Sequence, residues 1–175
     1  MVKAAYSSGK PAHGVGAGNA LIIVDETADL KDAADKIMRS KTFDHATKKL
    51  SVTMTLYKYK EFPEAIELVN RITAHSGPGH SCGIHTVNGL RIRELSHKVK
   101  VSRIMIRQPQ CLANSGAWTN GMPMSMTLGC GTWGGNSTSS NVTWEHLLNY
   151  TWVSYPIPST QPSDVELFGS IMYED

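Results

Sequence analysis

This 175-residue chain has no long hydrophobic run, no surplus of either charge and no even set of cysteines, and each shortage closes off a class of protein. The longest wholly apolar run, Ala20-Leu21-Ile22-Ile23-Val24, has five residues, whereas a membrane-spanning helix needs about 20. A membrane protein is therefore not expected. The opening residues, MVKAAYSSG, hold no apolar stretch of the kind a secretory signal carries, so the expected location is the cytoplasm. Lys plus Arg number 17 and Asp plus Glu 15, a net charge of +2. That is too little for a grip on phosphate backbones or anionic membranes, and no nucleic-acid partner is expected. Cys82, Cys111 and Cys130 are an odd count at unpaired spacing, which argues for free thiols rather than a disulfide framework. In a cytoplasmic chain the glycosylation triplets at Asn136, Asn141 and Asn149 carry no meaning.

What is present suits one globular domain over residues 1–175. Hydrophobic residues make up 41%, and 15 Gly with 8 Pro are ordinary, so neither disorder nor a fibrous repeat is indicated. Residues 20–24 predict a strand buried on both faces. Thr27 offers an N-cap to a helix whose apolar stripe is Leu30, Ala33, Ala34, Ile37 and Met38. Val52, Met54 and Leu56 alternate with polar residues and predict a second strand from Ser51 to Tyr57. Pro63 opens a further helix through Thr73, and residues 81–86 and 101–107 predict strands flanking a helix from about Leu90 to His97. Alternating strands and helices point to a layered α/β fold with a parallel sheet.

Residues 108–144 contain no Lys, Arg, Asp or Glu but carry Gly116, Gly121, Gly129, Gly131, Gly134 and Gly135. A solvated linker keeps some charge, so this stretch predicts loops packed against protein or lining a site. Met122, Met124 and Met126 alternate and suggest strand packing. Gly14-Val15-Gly16-Ala17-Gly18-Asn19 precedes a strand instead of following one and lacks the third glycine of a dinucleotide fingerprint. Its glycines permit close backbone approach to a ligand or a neighbouring helix. His75, His80, Cys82 and His85 are the densest group of soft ligands. Their spacing is poor for tetrahedral zinc, and ordinary core or loop residues are the expectation. A zinc-binding module on His80, Cys82 and His85 is a third alternative that elemental analysis decides.

In order, residues 1–12, the glycine loop 14–19, Ile23-Val24-Asp25-Glu26-Thr27-Ala28-Asp29-Leu30, Ser40-Lys41-Thr42-Phe43-Asp44, Leu50-Ser51, Gly79-His80-Ser81, Gln108-Pro109, Gly129-Cys130-Gly131-Thr132-Trp133-Gly134-Gly135-Asn136-Ser137 and Pro156-Ile157-Pro158 resemble the CoA-acylating branch of the aldehyde dehydrogenase superfamily, its sulfoacetaldehyde and acetaldehyde members above all. The resemblance implies a three-layer aldehyde dehydrogenase-like catalytic-domain framework, incomplete in this chain. It implies a reaction in which a cysteine thiolate adds to a small aldehyde, hydride passes to NAD or NADP, and CoA takes the acyl group. Gly16, Gly18 and Asn19 become candidate cofactor-binding residues. Thr132, Gly134, Gly135 and Asn136 become candidate substrate-binding residues for an aldehyde bearing an anionic group. The loop 14–19 holds no carboxylate, which fits acyl transfer to a thiol instead of to water.

The chain departs from the family's pattern in two places. The segment matching residues 40–47 leads, in the family, into the nucleophilic cysteine, whereas here Ala46-Thr47 runs into Lys48-Lys49-Leu50, which matches a later piece. An internal deletion at 47/48 is implied, and no catalytic residue is assigned. Lys48 stands where the family has a glutamate. Met1 matches an interior position of the family, so most of the coenzyme-binding domain is expected to be absent too. The expected function is that of a shortened acylating dehydrogenase inactive alone; the alternative is a non-catalytic assembly or regulatory subunit. The strand near 150–155, with Trp152 and Tyr155, is expected to mediate homo-oligomerisation or pairing with a full-length relative.

Overall fold

The computed structural model describes residues 2–14, 21–42 and 55–169. In chain order they form α1 (Val2–Tyr6), β1 (Leu21–Val24), α2 (Leu30–Thr42), α3 (Phe62–Ser76), β2 (Cys82–His85), α4 (Gly89–Lys98), β3 (Ile104–Ile106), α5 (Gln110–Asn114), two 3-10 turns (Thr132–Gly134 and Trp144–Leu147) and α6 (Asp164–Phe168). The strands make a parallel sheet in the order β1-β2-β3, with Leu21 opposite Cys82 and Ile84 opposite Ile106. The expected α/β class is observed. The strand buried along its whole length is the central β2; β1, with one neighbour among the described residues, has only Ile23 fully buried. This corrects the expectation that the first strand is covered on both faces.

Side chains alternate across a strand, so the sheet has two chemically distinct faces. On one, Leu21, Ile23, Cys82, Ile84, Ile104 and Ile106 meet Phe62, Ala65, Ile66 and Val69 of α3 and Leu95 of α4 in a single apolar core. The helices on this face have firm ends. Pro63 lies in the first turn of α3, where its missing N–H costs nothing, and Gly77 closes that helix in the left-handed region at φ 116°. Asn88 caps α4 by accepting from the N–H groups of Leu90 and Arg91. On the other face α2 lies against β1, α5 lies against β3, and the two helices touch. The residues of β2 and its approach beneath them are Ser81, Gly83 and His85. A Cβ at Gly83 would stand 3.0 Å from Oε1 of Gln110, so glycine is what lets α5 come down onto the sheet.

Several local expectations are corrected. The cap of α2 is Asp29, whose Oδ1 accepts from the N–H groups of Lys31 (2.9 Å) and Asp32 (3.1 Å); the Thr27 hydroxyl is engaged with Asp25 and Thr86. The helix buries Ala33 and Ser40 and leaves Leu30, Ala34 and Met38 exposed, because the sheet face beneath it admits small and polar groups. The strand expected at Ser51 to Tyr57 lies outside the described residues up to 54. From 55 onward the chain is exposed and unpaired at Leu56 and Tyr57. Met122, Met124 and Met126 are not in a strand. Pro123 between them removes a ladder donor, and pairing is made further on, where Gly129 and Gly131 donate to Ser140 and Thr138 at 3.0 Å each.

Candidate functional site

The uncharged stretch from Gln108 is organised by a cation just outside it. Arg103 is buried beside β3 and donates from Nε to Oδ1 of Asn141 (3.0 Å), from Nη1 to the His80 carbonyl (3.1 Å) and from Nη2 to the carbonyls of Gly129 (2.5 Å) and Ser139 (3.3 Å). Asn141 in turn donates to the carbonyls of Asn114 and Pro123. One guanidinium therefore satisfies carbonyls from three loop segments, and its charge is spread over hydrogen bonds instead of meeting a carboxylate. Burial lowers the pKa of Arg103, and it lowers that of His80 beside it, where Arg103 also acts. The packed-loop expectation for residues 108–144 is met around the buried Gln110, Asn114, Cys130, Asn136 and Asn141 and not at Trp118, Met126 and Trp144, which are exposed; the organising residue lies outside the stretch.

A second hub closes the carboxyl ends of β1 and β2. Asp25 is buried and accepts from the hydroxyls of Thr27 (2.9 Å) and Thr86 (2.6 Å), and it pairs with the Arg91 guanidinium. Arg91 also meets Glu26 at 2.6 Å and lies 5.3 Å over the Phe62 ring. Asp25 and Arg91 stand far apart in sequence, and no local motif announces the pair.

Gly16, Gly18 and Asn19 lie outside the described residues. The four candidate substrate residues are brought together in the 3-10 turn and the residues just after it. Gly134 donates to the carbonyls of Cys130 and Gly131, Gly135 to that of Thr132, and Asn136 to that of Gly131. The buried Asn136 side chain accepts from the Cys130 N–H (2.8 Å) and donates to the Gly134 carbonyl (3.2 Å). These groups hold the turn, and Thr132 alone of the four keeps an exposed side chain. Gly79, at φ 89°, lies against the turn so closely that a Cβ would fall 2.1 Å from the Cys130 carbonyl oxygen. Tyr6 ties Gly14 to the residue that follows the turn: its hydroxyl donates to the Gly14 carbonyl (2.9 Å) and accepts from the Ser137 N–H (3.1 Å). Hydrogen bonding to Ser137 lowers the Tyr6 pKa.

The cysteines occupy three different settings. Cys82 is in the apolar core, and burial pushes its thiol up to about 12, so it is a thiol and not a thiolate near neutral pH. Cys130 is fully buried under the glycine turn, and Cys111 is half-buried on α5. Cys82 and His85 project from opposite faces of β2; among the described residues no three His, Cys, Asp or Glu side chains converge as a metal site would require. Among the same residues no helix is long and apolar enough to cross a membrane.

No protein-family model matches the chain. It is 33% identical to a sulfoacetaldehyde dehydrogenase of an Acholeplasma species, over 99% of this chain and 55% of that protein. With a sulfoacetaldehyde dehydrogenase (acylating) of Bilophila wadsworthia it shares 31% identity over 97% of this chain and 57% of that one. The crystal structure of a probable aldehyde dehydrogenase from Listeria monocytogenes superposes with a TM-score of 0.79 and 25% identity, covering 91% of this chain and 55% of that chain. The chain spans about half the length of the curated relatives it matches. These likenesses run over nearly every residue of the chain and converge on one kind of protein: in sequence the chain is similar to about half of an acylating aldehyde dehydrogenase.

Proposed function

We propose that the chain is a shortened acylating aldehyde dehydrogenase which keeps the catalytic-domain framework without its nucleophile, and that by itself it does not oxidise an aldehyde. The observation that carries this reading is the state of the cysteines. Hydride leaves an aldehyde carbon once a thiolate has added to it. Cys82 is held as a thiol inside the core, Cys130 is sealed, and Cys111 is half-buried on a five-residue helix. The alignment supports an internal deletion, since 268 aligned positions of the Acholeplasma relative take in a chain of 175 residues. The proposed junction, 47/48, lies outside the described residues.

NAD or NADP would accept the hydride and CoA the acyl group in a complete relative. Gly16, Gly18 and Asn19, which lie outside the described residues, are the proposed cofactor contacts. The proposed substrate is a small aldehyde with an anionic group, in keeping with the names of the two sulfoacetaldehyde relatives. Thr132 is its proposed contact at the turn, held in place by Gly134, Gly135 and Asn136.

A second reading rests on the C-terminal arm. Tyr150, Trp152, Tyr155 and Ile157 are exposed, Trp152 at 92%, along a segment with no strand partner among the described residues. This exposure supports an assembly role in which the arm pairs with a second copy or with a full-length relative. Purified chain is to be mixed with NAD or NADP, CoA and sulfoacetaldehyde or acetaldehyde while absorbance at the reduced-nicotinamide band is followed. No reduction is expected, and steady reduction scaling with chain concentration would sink the missing-nucleophile reading. Co-expression with a full-length relative tests the arm: co-elution lost on Trp152→Ser is expected, and separate elution rejects the assembly role.

A further inference from the structure

The seam between α2 and α5 opens into a cleft of about 570 Å³ at the carboxyl end of β3. In open α/β sheets this end of the strands is where ligands are received. Its walls carry opposite chemistry. Pro109, Leu112 and Ala117 give an apolar lining, and Lys36, Arg39 and Arg107 bring three cations to one acid, Asp32. Lys36 is paired with Asp32 at 2.5 Å, and Arg39 lies 4.0 Å from Asp35. Arg107 has no carboxylate partner among the described residues.

Arg107 also carries an independent mark. At φ 52° it is the non-glycine residue with a left-handed backbone among the described residues, and its N–H continues the ladder to the Ile84 carbonyl at 2.9 Å. L side chains disfavour that region, and such conformations concentrate where a side chain must be aimed. Here the bend turns the chain out of β3 exactly where the guanidinium joins the cleft lining. A planar guanidinium with no carboxylate to occupy it is suited to bidentate capture of an oxyanion, and the apolar lining suits a short carbon body attached to that anion.

We propose that this cleft binds a small organic anion, an oxyanion headgroup on a short carbon chain, with Arg107 as the principal contact and Arg39 as the second. The proposal takes its ligand class from the anionic-substrate part of the proposed function and goes beyond it in place, since the Thr132 turn is not part of the cleft lining; its test reads binding and not turnover. A negative binding result therefore removes the cleft and leaves the missing-nucleophile reading standing; aldehyde oxidation by the chain does the reverse.

The test is calorimetric titration of the full chain at low ionic strength with ethanesulfonate, inorganic sulfate and 1-propanol. Ethanesulfonate is expected to bind saturably and more tightly than sulfate, 1-propanol not at all, and added salt to weaken the binding. Arg107→Asn keeps a residue that tolerates the left-handed backbone while removing the cation, and it should weaken ethanesulfonate at least tenfold. Arg39→Gln, on the exposed side of α2, should weaken it several-fold and covers the case in which the first variant fails to fold. Absence of saturable binding, binding unchanged in a folded Arg107→Asn chain or unchanged in Arg39→Gln, or equal binding of 1-propanol overturns the proposal. Sulfate binding as tightly as ethanesulfonate overturns the role given to the apolar lining.

Discussion

The two faces of the three-stranded sheet use the same backbone for opposite ends. Toward α3 and α4 the strands present Ile23, Cys82, Ile84 and their neighbours, and the core they make with Phe62, Ile66, Val69 and Leu95 is wholly apolar. Toward α2 and α5 they present Ser81, Gly83 and His85. There Gln110 and Asn114 both donate to the Ser81 hydroxyl, while Nδ1 of His85, Oε1 of Gln110 and Oδ1 of Asn114 are buried without a hydrogen-bond partner among the described residues. An apolar face is complete once covered, but a buried polar face costs free energy for every group left unpaired. The first face is a self-sufficient framework. The second is the face on which the anion cleft opens and on which Leu30 and Met38 of α2 point away from the sheet into solvent.

The largest effect expected on this comparison comes from the apolar side. Phe62 is 4% exposed and packs under the Arg91 guanidinium. Phe62→Ala should cost about 3–5 kcal/mol in urea unfolding, through lost transfer energy and the cavity left behind. A loss below about 1 kcal/mol would mean that the apolar face is not the framework. Next comes Arg103→Met. It strips donors from the carbonyls of His80, Gly129 and Ser139 and from Asn141, and a cost of about 2–3 kcal/mol is expected. The variant should also be cleaved by protease within residues 108–147 before the rest of the chain. Uniform cleavage would show that the buried cation does not organise the loops. Asn88→Ala, which removes the α4 cap on the apolar side, should cost about 1 kcal/mol, without altering binding at the cleft.

How much of this was legible in the sequence divides along the same line. On the apolar side α3 follows from its apolar periodicity, because its partners are apolar as well, and α4 and the strands around Ile84 and Ile104 were legible as short alternating segments. On α2 the same reading chose Leu30, Ala34 and Met38, which face away, since a polar sheet face selects Ala33 and Ser40 and leaves no apolar signature. The methionine strand failed for want of a ladder partner, which alternation does not reveal; of the strand expected through Tyr57 only residues 55–57 are described, and these are not in a strand. At the site, the glycine-rich turn was visible by composition and the Thr132-to-Asn136 group by resemblance. Arg103 was not, because its partners are mostly backbone carbonyls. Nor was the cleft, whose cations come from two segments joined only by folding.

The smallest effect probes the polar face through protons. Burial lowers the pKa of His85, and the charge of Lys36 lowers it further while Asp32 opposes both. Folding thus favours the neutral ring. Above the unfolded value of about 6.5 both states are neutral there, and His85 adds no pH dependence. As pH falls below it, the unfolded chain takes up a proton first, so stability declines down to the lower folded pKa and then levels off. His80, also lowered, acts in the same direction. Urea unfolding between pH 8 and 5 should therefore show stability falling with pH, and His85→Leu should reduce that slope without abolishing it, because His80 remains. At pH 8 the same variant should be no less stable than the parent, since it removes the buried nitrogen that lacks a partner. An unchanged slope, or a marked loss at pH 8, would place a hidden partner on that nitrogen and make the second face as self-sufficient as the first.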